Sequence, residues 1–102
     1  MHAMTPNAPD TDPRLKKLKF RAWRRGFREA DLILGPFADQ RLADLAEPEL
    51  DDFERLLDQP DQHLYAWIIE REATPAEFDT PVMDLIKRFR FSVHAARTDV
   101  GG

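Results

Sequence analysis

The sequence predicts an all-α protein, a small compact bundle of about five short helices. Three observations support this. Apolar residues recur three and four positions apart along most of the chain. No segment sustains the period-two alternation of a strand. Proline stands in the first turn at three expected helix starts, at Pro13, Pro48 and Pro81, where its missing donor costs nothing.

Residues 1–12 are polar and small around Pro6 and Pro9 and read as a disordered segment. Asp12-Pro13 then caps the first helix, with Leu15, Leu18 and Ala22 on one stripe and Phe20 and Trp23 on a neighbouring one. This helix is expected to stop at Gly26. The second carries Phe27, Ala30, Ile33 and Leu34, with Phe37, Leu42 and Leu45 continuing the pattern. Gly35-Pro36 is expected to kink or break it, because proline removes a backbone donor and clashes with the preceding turn. The third helix opens at Pro48 with Glu49, Asp51 and Asp52 at its dipole-positive end, and Leu50, Phe53, Leu56 and Leu57 line its inner face. Asp58-Gln59-Pro60 ends it. Asp61 is expected to cap a short fourth helix with Leu64, Trp67 and Ile68 inward. After a connection at 71–74, Thr80-Pro81 caps a last helix bearing Val82, Leu85, Ile86, Phe89 and Val93. The domain spans 13–96, and 97–102 should fray.

At 102 residues and 42% hydrophobic composition, the chain suffices for one modest core. It has no cysteine, which excludes disulfides, thiolate metal sites and a cysteine nucleophile. No apolar run approaches the roughly 20 residues that span a bilayer. The start MHAMTPNAPDTDP resembles neither a secretory signal nor an arginine-rich transit peptide, so a bacterial cytoplasmic protein without membrane insertion is expected. The net charge of −4 conceals an asymmetry. Eight basic residues and one acid lie between Arg14 and Glu29, against nine acids and two arginines between Asp39 and Asp61. Such a dipolar chain suits steering of a charged partner.

Catalytic chemistry finds little support. His2, His63 and His94 have no metal-ligand spacing. Asp51, Asp52 and Glu54 read as a solvated helix face. Ser92, the single serine, has no nucleophile motif around it, and no phosphate-binding glycine loop follows a strand. Tyr65 and Trp67, two residues apart, cannot share a helix face, so Trp67 is expected in the core and Tyr65 at its margin. The basic first helix offers only a narrow cationic face, no helix-turn-helix follows, and the acidic middle would repel a polyanion, so nucleic acid is not an expected partner. No enzyme is expected.

The stretch Arg24-Arg25-Gly26-Phe27-Arg28-Glu29-Ala30-Asp31 is the most informative in the chain. A glycine separates two helical patterns, with charge crowded around the break. Structurally, Gly26 ends a helix, Arg24 and Arg25 complement its negative end, and Glu29 sits in the next first turn. Arg25-Gly26-x-x-Glu29 follows a basic helix and is followed at a distance by Asp61-Gln62-His63-Leu64-Tyr65-Ala66-Trp67. Over about Arg14 to Phe91, notably RRGFREADLILGPFAD and ELDDFERLLDQPDQHLYAWI, the chain resembles the SdhE-type FAD assembly factors, the succinate dehydrogenase assembly factor 2 family.

The resemblance implies a helical protein that binds the flavoprotein subunit of succinate dehydrogenase, or of fumarate reductase. It promotes covalent attachment of FAD to a histidine of that partner. FAD would be attached to the partner and not held stably here, since the βαβ glycine fingerprint is missing. Arg25, Gly26 and Glu29 carry over as partner-binding residues. Phe27, Arg28 and Asp31 join them by proximity, with Trp23 at the rim. The rival readings are a small antitoxin-like or regulatory protein-binding module and, less favoured, a nucleic-acid binder.

Overall fold

The computed structural model describes residues 12–101, with side chains through Ser92. The expected disordered start up to residue 11, His2, and the side chains of Val93 and His94 lie outside the described residues. Among the described residues all regular structure is helical: α1 Pro13–Trp23, α2 Arg28–Arg41, α3 Glu47–Leu57, α4 Asp61–Ile68 and α5 Pro81–Gly101. Short 3-10 turns lie at Leu42–Asp44 and Ala76–Phe78. The chain divides into two compact units, Met1–Leu45 and Ala46–Gly102. Among the described residues no helix is long and apolar enough to cross a membrane.

In the first unit, Asp12 caps α1 as its sequence predicts. Its Oδ1 accepts from the Arg14 and Leu15 amides at 2.9 and 3.4 Å. Leu15, Leu18 and Ala22 are buried, and α1 packs against α2, whose Ala30, Leu34, Phe37 and Ala38 are buried in turn. The expected break at Gly35-Pro36 does not occur, and α2 runs unbroken to Arg41 with Pro36 inside it. The bond that proline forfeits would have ended on the Leu32 carbonyl. Leu32 lies on an exposed face, 46% accessible, where water can take the freed acceptor. Gly35 serves packing rather than termination: a Cβ there would overlap the Trp23 indole. Helix α1 also ends earlier than expected, at Trp23, leaving Arg24–Phe27 as the link.

In the second unit, the Glu49 carboxylate accepts from the Ala46 amide at 2.9 Å at the start of α3. Leu50, Phe53, Leu56 and Leu57 are all buried, as their spacing predicts. Pro60, not Asp61, holds the N-cap position of α4, and Asp61 is its first residue. Proline's extended backbone makes the entry, while Asp61 still serves the helix dipole. Leu64, Trp67 and Ile68 are buried and Tyr65 is half-buried, as expected.

The end of α4 has no glycine. Glu70 takes the left-handed conformation, φ +62, so that the Arg71 and Glu70 amides reach the Ala66 and Trp67 carbonyls at 2.8 and 3.1 Å. Phe78, in the following 3-10 turn, stacks on Trp67 with ring centroids 5.2 Å apart, and the Arg55 guanidinium lies 5.1 Å from its centroid. A single aromatic in a link has no period, so its burial was not legible. Thr80 caps α5 through Oγ1, which accepts from the Met83 amide at 3.3 Å. Val82, Met83 and Ile86 are buried, while Leu85 and Phe89 are half-buried. Helix α5 runs from Pro81 to Gly101. No glycine or proline interrupts residues 82–100, so nothing local stops the backbone ladder.

Candidate functional site

The link between α1 and α2 is built by backbone conformation. Arg24 leaves the helix at φ −128, ψ 46, its amide still donating to the Arg21 carbonyl at 3.3 Å. Gly26 follows at φ +86, a region that a side chain enters only at a cost of about 1–2 kcal/mol. Phe27 is extended at φ −120, ψ 98 and starts α2 as its N-cap without a side-chain hydrogen bond. Its carbonyl accepts from the Asp31 amide at 2.9 Å. A Cβ placed on Gly26 would meet nothing within 4 Å. Glycine is thus demanded by the turn and not by crowding, and its backbone faces open space.

The six residues expected at this site come together at that corner, but in different roles. Gly26, Arg28 and Glu29 are exposed; Arg25, Phe27 and Asp31 are half-buried. Glu29 and Asp31 lie in the first turn of α2, where backbone amides favour negative charge. Arg24 and Arg25 lie just past the carbonyl end of α1, where positive charge is favoured. Asp31 turns inward: its Oδ1 accepts from the Arg25 amide at 3.2 Å, tying the link to the helix that follows it. It was expected beside the partner by proximity to Glu29, and its carboxylate also makes this intramolecular contact.

Trp23 was expected at the rim, and it is 39% exposed. It also anchors the corner. Its indole lies over Gly35, and Nε1 donates to the Asp39 carboxylate at 3.1 Å. Beside it Phe20 is 59% exposed with the Arg24 guanidinium 4.6 Å from its ring centroid. Lys16, Lys19, Phe20, Trp23 and Arg24 line an open groove. Gly35 and Asp39 were missed in the sequence. Gly35 is masked by the adjoining proline, and a tryptophan paired with a glycine 12 positions on follows no helical spacing.

Chemically, the corner offers guanidinium groups, a carboxylate and open backbone on a short turn. These groups suit charge-assisted, geometrically specific recognition of another surface.

Comparison with known proteins covers this corner. The Sdh5 family, described as flavinator of succinate dehydrogenase, matches residues 16–90. Succinate dehydrogenase assembly factor 2, mitochondrial, of Dictyostelium discoideum is 40% identical over 72 residues, 71% of this chain and 51% of that protein. The FAD assembly factor SdhE of Acetobacter pasteurianus is 37% identical over 70 residues, covering 69% of this chain and 64% of its own length. The Danio rerio succinate dehydrogenase assembly factor 2, mitochondrial, is 32% identical over 80 residues, with 76% and 51% covered. This chain therefore spans between about half and two thirds of the length of these relatives. With the family pattern extending over both compact units and through the Arg25–Asp31 corner, the chain belongs to the Sdh5 family, the flavinators of succinate dehydrogenase.

Proposed function

We propose that this protein is a non-enzymatic assembly factor that binds the flavoprotein subunit of succinate dehydrogenase, or of fumarate reductase, and promotes its covalent flavinylation by FAD. The observation that carries this reading is the family match over 16–90, which includes the open corner at Gly26. Relatives over the same region are named assembly factors for succinate dehydrogenase and for FAD.

In this reading Arg25, Gly26 and Glu29 meet the partner, with Phe27 and Arg28 beside them. The exposed Gly26 backbone permits close approach, and Arg25 and Glu29 supply charge-assisted hydrogen bonds. No residue of this chain does bond chemistry on the flavin. The flavoprotein attaches FAD to its own histidine, and this protein favours the form able to do so. That requires differential binding: raising a competent form from about 1% to about half the population takes roughly 100-fold preference, or about 2.7 kcal/mol. In this reading FAD stays with the partner; among the described residues there is no βαβ phosphate loop to hold a dinucleotide. The compartment is the one in which the flavoprotein matures, the cytoplasm in a bacterium.

The test is in-gel flavin fluorescence of the flavoprotein subunit, expressed with and without this chain. Covalent flavin should fall severalfold without it and recover when it is restored. Equal fluorescence in both strains, with no flavoprotein in the purified complex, would rule out the assembly role and favour a regulatory module of another protein.

A further inference from the structure

Two contacts at the corner serve no evident purpose for partner recognition, and both bear on the direction in which the link points. On one side, the last residue of α1 is fastened to α2. The Trp23 indole occupies the space that a Cβ on Gly35 would fill, and its Nε1 donates to Asp39 at 3.1 Å. On the other side, the first turn of α2 is fastened to the link, with the Asp31 carboxylate accepting from the Arg25 amide at 3.2 Å. Gly26 lies between these fastenings at φ +86, the residue with the most conformational freedom in the link. Unfastened, a glycine link of four residues would sample several orientations, and the binding-competent one would be a fraction of them. Apparent affinity falls by that fraction.

We infer that Trp23 and Asp31 are positioning residues: they clamp the Arg24–Phe27 link from its two ends so that Arg25 and Glu29 are presented to the flavoprotein in one preset orientation. The inference rests on the proposed function. It assigns Asp31 a role different from partner contact, and the difference is chemical. A carboxylate that met a cation on the partner would need its charge. A carboxylate that holds the Arg25 amide needs only an acceptor oxygen, which an asparagine amide also supplies. The same logic places Trp23 in the notch by shape, since only a glycine at 35 leaves room for the ring.

The experiment titrates the full chain and its variants against the purified flavoprotein subunit of succinate dehydrogenase, and follows amide hydrogen exchange of the free chain. Asp31→Ala should weaken partner binding roughly tenfold and speed exchange at the Arg25 amide by a similar factor, with helical content unchanged. Asp31→Asn should stay within about twofold of the parent in both readouts. On the other side, Gly35→Ala should displace the indole and weaken binding severalfold. Trp23→Phe, which keeps a ring in the notch but loses the Asp39 bond, should weaken it less.

If Asp31→Asn loses as much affinity as Asp31→Ala while Arg25 exchange stays slow, the carboxylate contacts the partner directly and the positioning role is refuted. Parent-like binding by Asp31→Ala and Gly35→Ala would refute it too. Arg25→Ala and Glu29→Ala in the same titration separate this from the proposed function. If these two bind like the parent, or the parent does not bind at all, the docking assignment itself falls and the inference with it. If they fail to bind while the Asp31 and Gly35 variants are silent, only the inference falls.

Discussion

Gly35→Ala reverses the sign expected for a glycine in a helix. In an ordinary helix interior the change stabilises by about 0.8–1.0 kcal/mol, because alanine loses less backbone entropy. At Gly35 the new Cβ would lie less than 3.0 Å from three atoms of the Trp23 indole. The ring must move, since contacts this short are not tolerated and all three are to its own side-chain atoms. Forcing an extra carbon into packed space costs about 1–3 kcal/mol. Displacing the ring also lengthens or breaks its 3.1 Å hydrogen bond to Asp39, a loss of about 0.5–1.5 kcal/mol. Set against the propensity gain, the net is a destabilisation of about 1–3 kcal/mol, towards the lower end because Trp23 is 39% exposed and has somewhere to go. For a domain of this size that lowers Tm by roughly 5–15 °C. The assay is a double-mutant cycle by urea and thermal denaturation, followed by far-UV circular dichroism. In a Trp23→Ala background the clash disappears, and Gly35→Ala should stabilise by about 0.5–1 kcal/mol. The resulting coupling of about 2–3 kcal/mol sits at the upper end for residues in contact. If Gly35→Ala stabilises the parent as much as it does the Trp23→Ala variant, the notch does not exist.

Trp67→Ala should cost about 3–5 kcal/mol, since the ring is buried and stacked on Phe78, whereas Arg25→Ala should leave the melting curve near that of the parent and weaken the flavoprotein complex. Thermal melts beside pull-downs separate the two, and the reverse pattern would exchange core and docking surface. Glu29→Ala should abolish support of flavinylation with helical circular dichroism retained; parallel loss of both would mark Glu29 as structural. Gly26→Arg should also abolish support, at a folding cost of about 1–2 kcal/mol from backbone strain alone, because nothing stands within 4 Å of the added Cβ. Glu70→Gly should relieve left-handed strain at the end of α4. The Glu70–Lys87 pair it removes, 3.8 Å apart and exposed on the glutamate side, is worth little, so a gain of up to about 1 kcal/mol is expected in urea denaturation.

What could be read from the sequence depended on neighbours within a few positions. Asp12 and Thr80 announced their helices because a cap bonds amides two or three residues away. Leu50, Phe53, Leu56 and Leu57 announced a buried face because helical geometry alone aligns them. Gly26 announced a turn because only glycine takes its φ without strain. The all-α class and the charged corner therefore followed from local chemistry. The rest depended on partners farther along the chain. Gly35 beside Pro36 looked like a break, yet the helix persists and the glycine is the seat of a tryptophan 12 positions earlier. Asp31 joined the docking corner by proximity alone, and its carboxylate bond to the Arg25 amide is visible only in the folded chain. Phe78 showed no pattern, and only its stack on Trp67 places it in the core. The left-handed Glu70 was invisible because the Ala66 and Trp67 carbonyls, not its own side chain, hold that backbone in place. Local backbone preference sets where helices start and stop, but which surface each side chain meets is a property of the folded packing, and only the tertiary structure decides it.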